Sequence, residues 1–273
     1  MRKIFLYYIA SFLLTSCQEV VEIDLPTAEP RLVIDANFNI FLNEPSLNIN
    51  NFIKLTLTAP FFAEEVPVVN NATVFITDID NGTIFNFEEL NDSGIYIPQN
   101  QDMITDLEFD TTFELTVIHT NETYVATAKF IPSVPIDSIE IGDTVLFDEN
   151  ETELIISFTD DATRNDFYLF NLDFGLFLTT EDEFYQGEEF VFSYFYENLS
   201  DGQDIDFTLS GVDKQFHSYL TLLIEQNGQN GGGPFQSTPA TLIGNIVNIT
   251  NPDNYPLGYF SISEANSFSI TIE

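Results

Sequence analysis

Apolar and polar positions alternate with period two through most of this chain, the spacing of half-buried strands rather than of helices. Arg31 to Asn39 is the first extended run, and Phe52-Ile53-Lys54-Leu55-Thr56-Leu57-Thr58 shows the alternation clearly. Ala72 to Thr77 and Thr83 to Leu90 flank Asp78-Ile79-Asp80-Asn81-Gly82, where Asn81-Gly82 is expected to supply the positive φ angles of a tight hairpin turn. Gly94 to Pro98, Phe113 to His119 and Tyr124 to Ile131 follow, the last two joined by Thr120-Asn121-Glu122-Thr123. About seven short strands with regular turn signals predict an immunoglobulin-like β-sandwich over residues 31–132. Pro132-Ser133-Val134-Pro135 breaks the pattern, because two prolines remove donors and hold the backbone extended, so a domain boundary is placed there.

Residues 136–273 read as a second β-rich domain carrying one amphipathic helix. Strands are expected at Ser138 to Phe147, Glu151 to Thr159, Phe167 to Leu178, Glu189 to Tyr196 and Asp204 to Ser210. Aromatic residues crowd the span from Phe167 to Tyr196, which suits strands covered on both faces or, for part of the set, an exposed docking surface. Phe216, Leu220, Leu223 and Ile224 recur at helical spacing after Asp213, predicting a helix near 213–227 with Asp213 at its start and Gly228 at its end. Three further strands are expected near Asn245 to Ile249, Gly258 to Ile262 and Phe268 to Ile272.

The first seventeen residues follow a different pattern. Met1-Arg2-Lys3 precedes an apolar run from Ile4 to Leu14, the charged and hydrophobic regions of a secretory signal, so residues 1–16 are set aside from the fold. A membrane-spanning helix needs roughly 20 apolar residues, and this run is too short. Leu14-Thr15-Ser16-Cys17 reads as a lipobox: a branched apolar residue, two small residues and the only cysteine of the chain. Cys17 is therefore the expected lipidation site, and its thiol leaves none for a disulfide. Each buried methylene of an acyl chain is worth about 0.8 kcal/mol, so one chain holds marginally while a diacylglycerol with a further acyl group anchors stably. Residues 17–30 form an acidic tether between lipid and fold.

Charge narrows the partners. All 44 acidic residues lie after Cys17, whereas only Arg31, Lys54, Lys129, Arg164 and Lys214 remain of the seven basic ones. Nucleic acid is excluded as a partner, because phosphate binding requires clustered Lys and Arg. The field attracts cations or a basic partner, or else it serves solubility alone. Gly231-Gly232-Gly233 lacks the Lys-Ser/Thr of a phosphate loop and precedes Pro234 rather than a helix. His119 and His217 stand on separate predicted elements with no nucleophile elbow beside either, so no catalytic residue is assigned. One cysteine and two distant histidines cannot build a zinc site. Carboxylate-rich turns suit calcium better. The candidates are Asp78 and Asp80 in the first turn, Asp160 and Asp161 in a second, and Asp201, Asp204 and Asp206 in a third. None has the full EF-hand spacing, and no cofactor beyond the covalent lipid is implied.

Several blocks together resemble the domain-of-unknown-function family 4249, found as lipoproteins in Bacteroidota. They are Glu22-Ile23-Asp24-Leu25-Pro26, Pro30-Arg31-Leu32-Val33-Ile34, Val74-Phe75-Ile76-Thr77-Asp78, Gly94-Ile95-Tyr96 and Pro135-Ile136-Asp137-Ser138-Ile139. Thr123-Tyr124 belongs with these, as do Phe158-Thr159-Asp160 with Asn165-Asp166-Phe167-Tyr168, and Gly244-Asn245-Ile246 with Leu257-Gly258-Tyr259-Phe260. The resemblance implies a cell-envelope protein held on the outer membrane by its lipid, a non-enzymatic accessory or ligand-capture partner of a TonB-dependent nutrient receptor. It brings no catalytic motif. Two alternatives stand beside that expectation: a structural or adhesive surface protein whose acidic loops bind calcium, and a carbohydrate-active hydrolase using paired acids. The last is disfavoured by the absence of Trp, the commonest sugar-stacking platform.

Overall fold

The computed structural model describes residues 29–44, 48, 51–60, 63–100, 107–146, 151–227 and 242–272. The signal segment, Cys17, nearly all of the tether and the Gly231–Gly233 run lie outside the described residues. What is described is mainly β. Strands β1 (Leu32–Ile40), β2 (Ile53–Leu57), β3 (Thr73–Asp78), β4 (Ile84–Glu89), β5 (Ile95–Pro98), β6 (Thr112–His119) and β7 (Glu122–Ile131) form one sheet in the order β1-β2-β5-β4-β3-β6-β7. The two ends of that sheet do not stay open. Strand β15 (Leu257–Thr271) enters between them, parallel to β1 from Val33↔Leu257 to Ile40↔Glu264 and parallel to β7 at Ile262↔Phe130 and Ser263↔Ile131.

The immunoglobulin-like sandwich expected over 31–132 thus gives way to an eight-stranded, barrel-like closed sheet. Its eighth strand comes from the far end of the chain, which is why seven local strands read as a sandwich. Closure satisfies the backbone groups that two sheet edges would otherwise expose. Alternate residues of every strand point inward: Ile34, Ala36, Phe38 and Ile40 of β1, Phe113, Leu115 and Val117 of β6, and Phe260 and Ile262 of β15 are all buried. Phe38 sits among them, edge-on to Phe87 at 6.0 Å and to Phe260 at 6.4 Å.

Beyond Glu264 the same strand leaves the barrel. Residues from Ala265 to Thr271 pair antiparallel with β13 (Asp204–Val212), which continues through β10 (Phe167–Asn171) to β11 (Phe177–Glu181). A separate sheet of β8 (Ile136–Ile141), β9 (Glu151–Thr159) and β12 (Glu189–Glu197) faces it. Phe158 lies at the centre of the shared core, 5.3 Å from Tyr168, 5.4 Å from Phe170 and 5.7 Å from Tyr185. Helix α1 (Lys214–Gln226) is capped by Asp213, whose Oδ1 accepts the Phe216 amide at 2.8 Å, and lays Phe216 on Tyr259 with ring centroids 4.4 Å apart. The short β14 (Val247–Asn248) pairs with β7, so the chain crosses the boundary expected at 132–136 a second time.

Three local readings are corrected. Gly258–Ile262 and Phe268–Ile272 are parts of one strand, because the polar stretch between them is buried where it passes from barrel to sandwich: Ser263 and Ala265 are both 2 % exposed. Phe167–Leu178 is a hairpin, turned by left-handed Asp173, Phe174 and Gly175. In the Asp78 turn Gly82 alone takes positive φ, while Asn81 is fixed through its side chain to Asp78.

The seam has its own fittings. On the side where β15 has not yet reached β7, Asn245 stands in for a strand residue, its Oδ1 accepting the Phe260 amide at 2.9 Å and its Nδ2 donating to the Phe260 carbonyl at 2.8 Å. Gly258 has φ +100°, and a Cβ there would overlap the Ile34 carbonyl. Gly258→Ala therefore combines backbone strain with a backbone collision. It should cost about 3 kcal/mol and lower Tm by roughly 6–12 °C, read by thermal denaturation.

Candidate functional site

The antiparallel register of β13 and β15 puts Asp204 opposite Thr271, Asp206 opposite Ser269 and Thr208 opposite Ser267. Ile205, Phe207 and Leu209, the alternate residues of β13, are buried in the sandwich core, so the Asp and Thr side chains stand on the outer face. β10 adds Asn171 opposite Thr208. Helix α1 covers the same face further along, against Phe167, Leu169, Val212 and Tyr259. Past the helix the face is polar, and it meets Asn37 and Asn39 on the outside of β1.

The opposite wall is the segment after β1. Asn51 accepts the Asn39 amide at 3.0 Å and donates to the Asn39 carbonyl at 2.8 Å, and Asn48 pairs with both backbone groups of Phe41 at 2.8 and 3.3 Å. Side-chain amides thus close the backbone of β1 where strand pairing ends. Between these walls lies an open groove of about 450 Å³. Among the described residues its lining holds two carboxylates, Glu44 and Asp206, and no Lys, Arg, His or Cys. Ser267 Oγ donates to Glu44, and Ser269 Oγ donates to Asp206 at 2.5 Å. Asn39 Oδ1 accepts from Ser210, and Asn171 Oδ1 accepts the Asp173 amide. The amide nitrogens of Asn39 and Asn171 and the Thr208 hydroxyl have no partner among the described residues. The groove presents hydrogen-bonding groups of both senses, and each of its two carboxylates accepts from a serine hydroxyl.

Of the acidic residues singled out from sequence, only Asp206 reaches this groove. Asp78 accepts the Asp80 and Asn81 amides at 2.9 and 3.2 Å, and Asp80 accepts the Thr112 amide at 2.9 Å. Asp161 holds Thr163 and Arg164, Asp201 is exposed, and Asp204 accepts from Thr271 at 2.6 Å. Asp160 is buried, taking the Tyr168 hydroxyl at 2.6 Å and the Gly187 amide at 2.7 Å. Tyr168 also lies 3.0 Å from Asp166, which is bound through two oxygens by the Arg164 guanidinium. Burial pushes the Asp166 carboxyl up and Arg164 opposes it, while burial and the Asp160 bond push the Tyr168 hydroxyl up. Among the described residues no three His, Cys, Asp or Glu side chains gather where they could hold a metal ion. His119 and His217 stay apart, the first with a buried Nδ1 lacking a partner, the second against Phe167 at 5.2 Å, and burial lowers the pKa of each.

The groove residues other than Asp206 were not singled out in the sequence. The available signal was the alternation Asp204, Asp206, Thr208 against Ser267, Ser269, Thr271, which marks two polar faces but not that they adjoin.

The model of the family described as Domain of unknown function (DUF4249) matches residues 18–269. The chain belongs to this family. A search of curated proteins finds no match. Three of the blocks that carry the DUF4249 resemblance make specific tertiary contacts of the fold. Arg31 packs over the Tyr255 ring at 3.7 Å and donates to its carbonyl at 3.1 Å, Asp160, Asp166 and Tyr168 form the buried network, and Asn245 and Gly258 fit the seam.

Another joint lies at the end of the barrel. Glu122 accepts from Tyr124 at 2.6 Å, Asn251 at 3.0 Å, Asn254 at 2.6 Å and Asn248 at 3.1 Å, and these bonds hold its carboxyl down at about 2. A depressed carboxylate contributes stability that is present above its unfolded pKa near 4.5 and lost as pH falls toward 2. Thermal denaturation across that window should show a steeper fall in Tm for the native protein than for Glu122→Gln; parallel curves would refute the role given to Glu122.

Proposed function

We propose that this protein is a lipoprotein tethered through Cys17 to the outer membrane, acting without catalysis as the ligand-capture partner of a TonB-dependent nutrient receptor. The observation that carries the reading is the groove, a concave site lined by hydrogen-bonding groups at the meeting of two structural units, where ligand sites preferentially form. The Leu14-Thr15-Ser16-Cys17 signal supports the tether. Among the described residues no helix is long and apolar enough to cross a membrane, and in this reading three acyl chains on Cys17 give stable anchoring.

A surface feature supports a protein partner. Phe184 is 89 % exposed, on a 3-10 turn (Asp182–Phe184) whose neighbours are firmly held: Asp182 accepts the Asp166 amide at 2.6 Å and Tyr185 stacks on Phe190 at 4.3 Å. Glu181, Glu183, Glu188 and Glu189 flank it, all exposed. An apolar tip with an acidic rim suits a receptor surface that offers an apolar socket among basic residues.

Extraction in mild detergent should bring a TonB-dependent receptor down with the native protein. Cys17→Ser should lose metabolic lipid labelling and membrane association. Phe184→Ser should lose the receptor with Tm unchanged, since the side chain is exposed. Recovery of the native protein alone, under conditions that preserve other receptor complexes, would overturn the partnership.

A further inference from the structure

The groove itself restricts what it can hold. Its floor is a face of paired strands, so its polar groups form a lattice with about 4.8 Å between strands and roughly 6.7 Å between alternate residues of one strand. Asn171, Thr208 and Ser267 make one row across three strands, and Asp206 with Ser269 makes the next. The unpartnered Asn39 and Asn171 nitrogens donate, the Thr208 hydroxyl both donates and accepts, and Glu44 and Asp206 retain accepting capacity beyond the one serine bond shown for each.

A ligand bearing carboxylate or phosphate would bring only acceptors to two carboxylates, with no basic side chain in the lining to offset the repulsion. A bare divalent cation needs convergent oxygen ligands, and no group of three acidic or imidazole side chains gathers among the described residues. A peptide that binds by strand addition needs an open backbone edge. In the groove floor β10 and β13 are each paired on both sides, and the Asn39 and Phe41 backbone is taken by Asn51 and Asn48; β15 beyond Glu264 pairs with β13 alone, and a peptide added to that edge would lie one strand spacing past Ser267 and Ser269, away from Thr208 and Asn171. Hydroxyl groups that donate and accept at short, regular spacing match the lattice, and Phe41 on the wall gives an apolar surface for the C–H face of a sugar ring. The volume lies within the range of about 300–1,000 Å³ usual for small-molecule sites.

We infer that the groove between β1, β13 and β15 binds an uncharged oligosaccharide, held by Asn171, Thr208 and Asp206. This rests on the ligand-capture reading and names the class of ligand.

The test is isothermal titration of the full mature lipoprotein, in a detergent without a sugar headgroup. The probes are neutral gluco-, manno-, xylo- and galacto-oligosaccharides, oligogalacturonate, and a neutral tripeptide. At least one neutral oligosaccharide should bind saturably. Asn171→Ala and Thr208→Val should each weaken it roughly five- to tenfold, Thr208→Val with Tm unchanged and Asn171→Ala with a Tm lowered by the lost bond to the Asp173 amide but the fold retained, while Thr271→Val, on the same sheet face outside the groove, leaves it alone. No binding by any neutral member, tighter binding of oligogalacturonate or tripeptide, or full binding in both groove variants overturns the inference. Receptor copurification is read separately: a chain that brings down the receptor yet binds no neutral oligosaccharide loses the ligand class and keeps the accessory role. One that binds sugar without a receptor loses the partner and keeps the site.

Discussion

Everything in this fold turns on the hydrogen bonding of one strand. β15 supplies the eighth strand of the barrel with its first half and a strand of the sandwich, paired with β13, with its second. Each pairing satisfies backbone groups that would otherwise be left at a sheet edge. Small residues make the insertion possible: Gly258 lets the backbones of β1 and β15 approach, and buried Ser261 and Ser263 fit beside Asn37 and Asn39. Ser261 Oγ donates to Asn37 at 2.9 Å, and Ser133 N donates to Glu264 at 2.7 Å where the linker between the two units passes. The two prolines of that linker therefore mark a bend between joined bodies, not a free hinge.

The groove is a product of the same strand. Passing from barrel to sandwich, β15 carries the outer face of one onto the outer face of the other, so asparagines on β1 meet serines, threonine and aspartate on β15 and β13. The helix stops the apolar part of this face and leaves the polar part open. Charge acts in the same direction. With a net charge of −37 over the chain and no Lys, Arg or His in the lining among the described residues, the field at the groove is negative.

Much of the local structure was legible. Alternation located most strands, the Asn121 turn appears with positive φ at Thr120 and Asn121, and Asp213 caps the helix as its position implies. What was hidden is non-local. Nothing near residues 31–132 shows that an eighth strand is missing, and Ser263-Glu264-Ala265-Asn266-Ser267 separates two expected strands although it runs as part of one, with Ser263 and Ala265 buried. The asparagines were opaque for a related reason. Asn48, Asn51 and Asn245 act as substitutes for strand backbone, a role that depends on which carbonyl and amide happen to lack partners. The acidic turns, by contrast, read as calcium candidates, whereas Asp78 and Asp161 cap groups of their own loops and Asp80, Asp160, Asp204 and Asp206 each accept from residues of other segments.

The central claim, that β15 makes barrel and sandwich one body and thereby builds the groove, is tested most directly by native-state hydrogen exchange. The amides of residues 258–264 and 265–271 should open only together, in the slowest, globally unfolding class, with those of β1 and β13. Exchange of the sandwich half of β15 in a separate, faster event while the barrel half stays protected would show two independent units, and the account would be wrong.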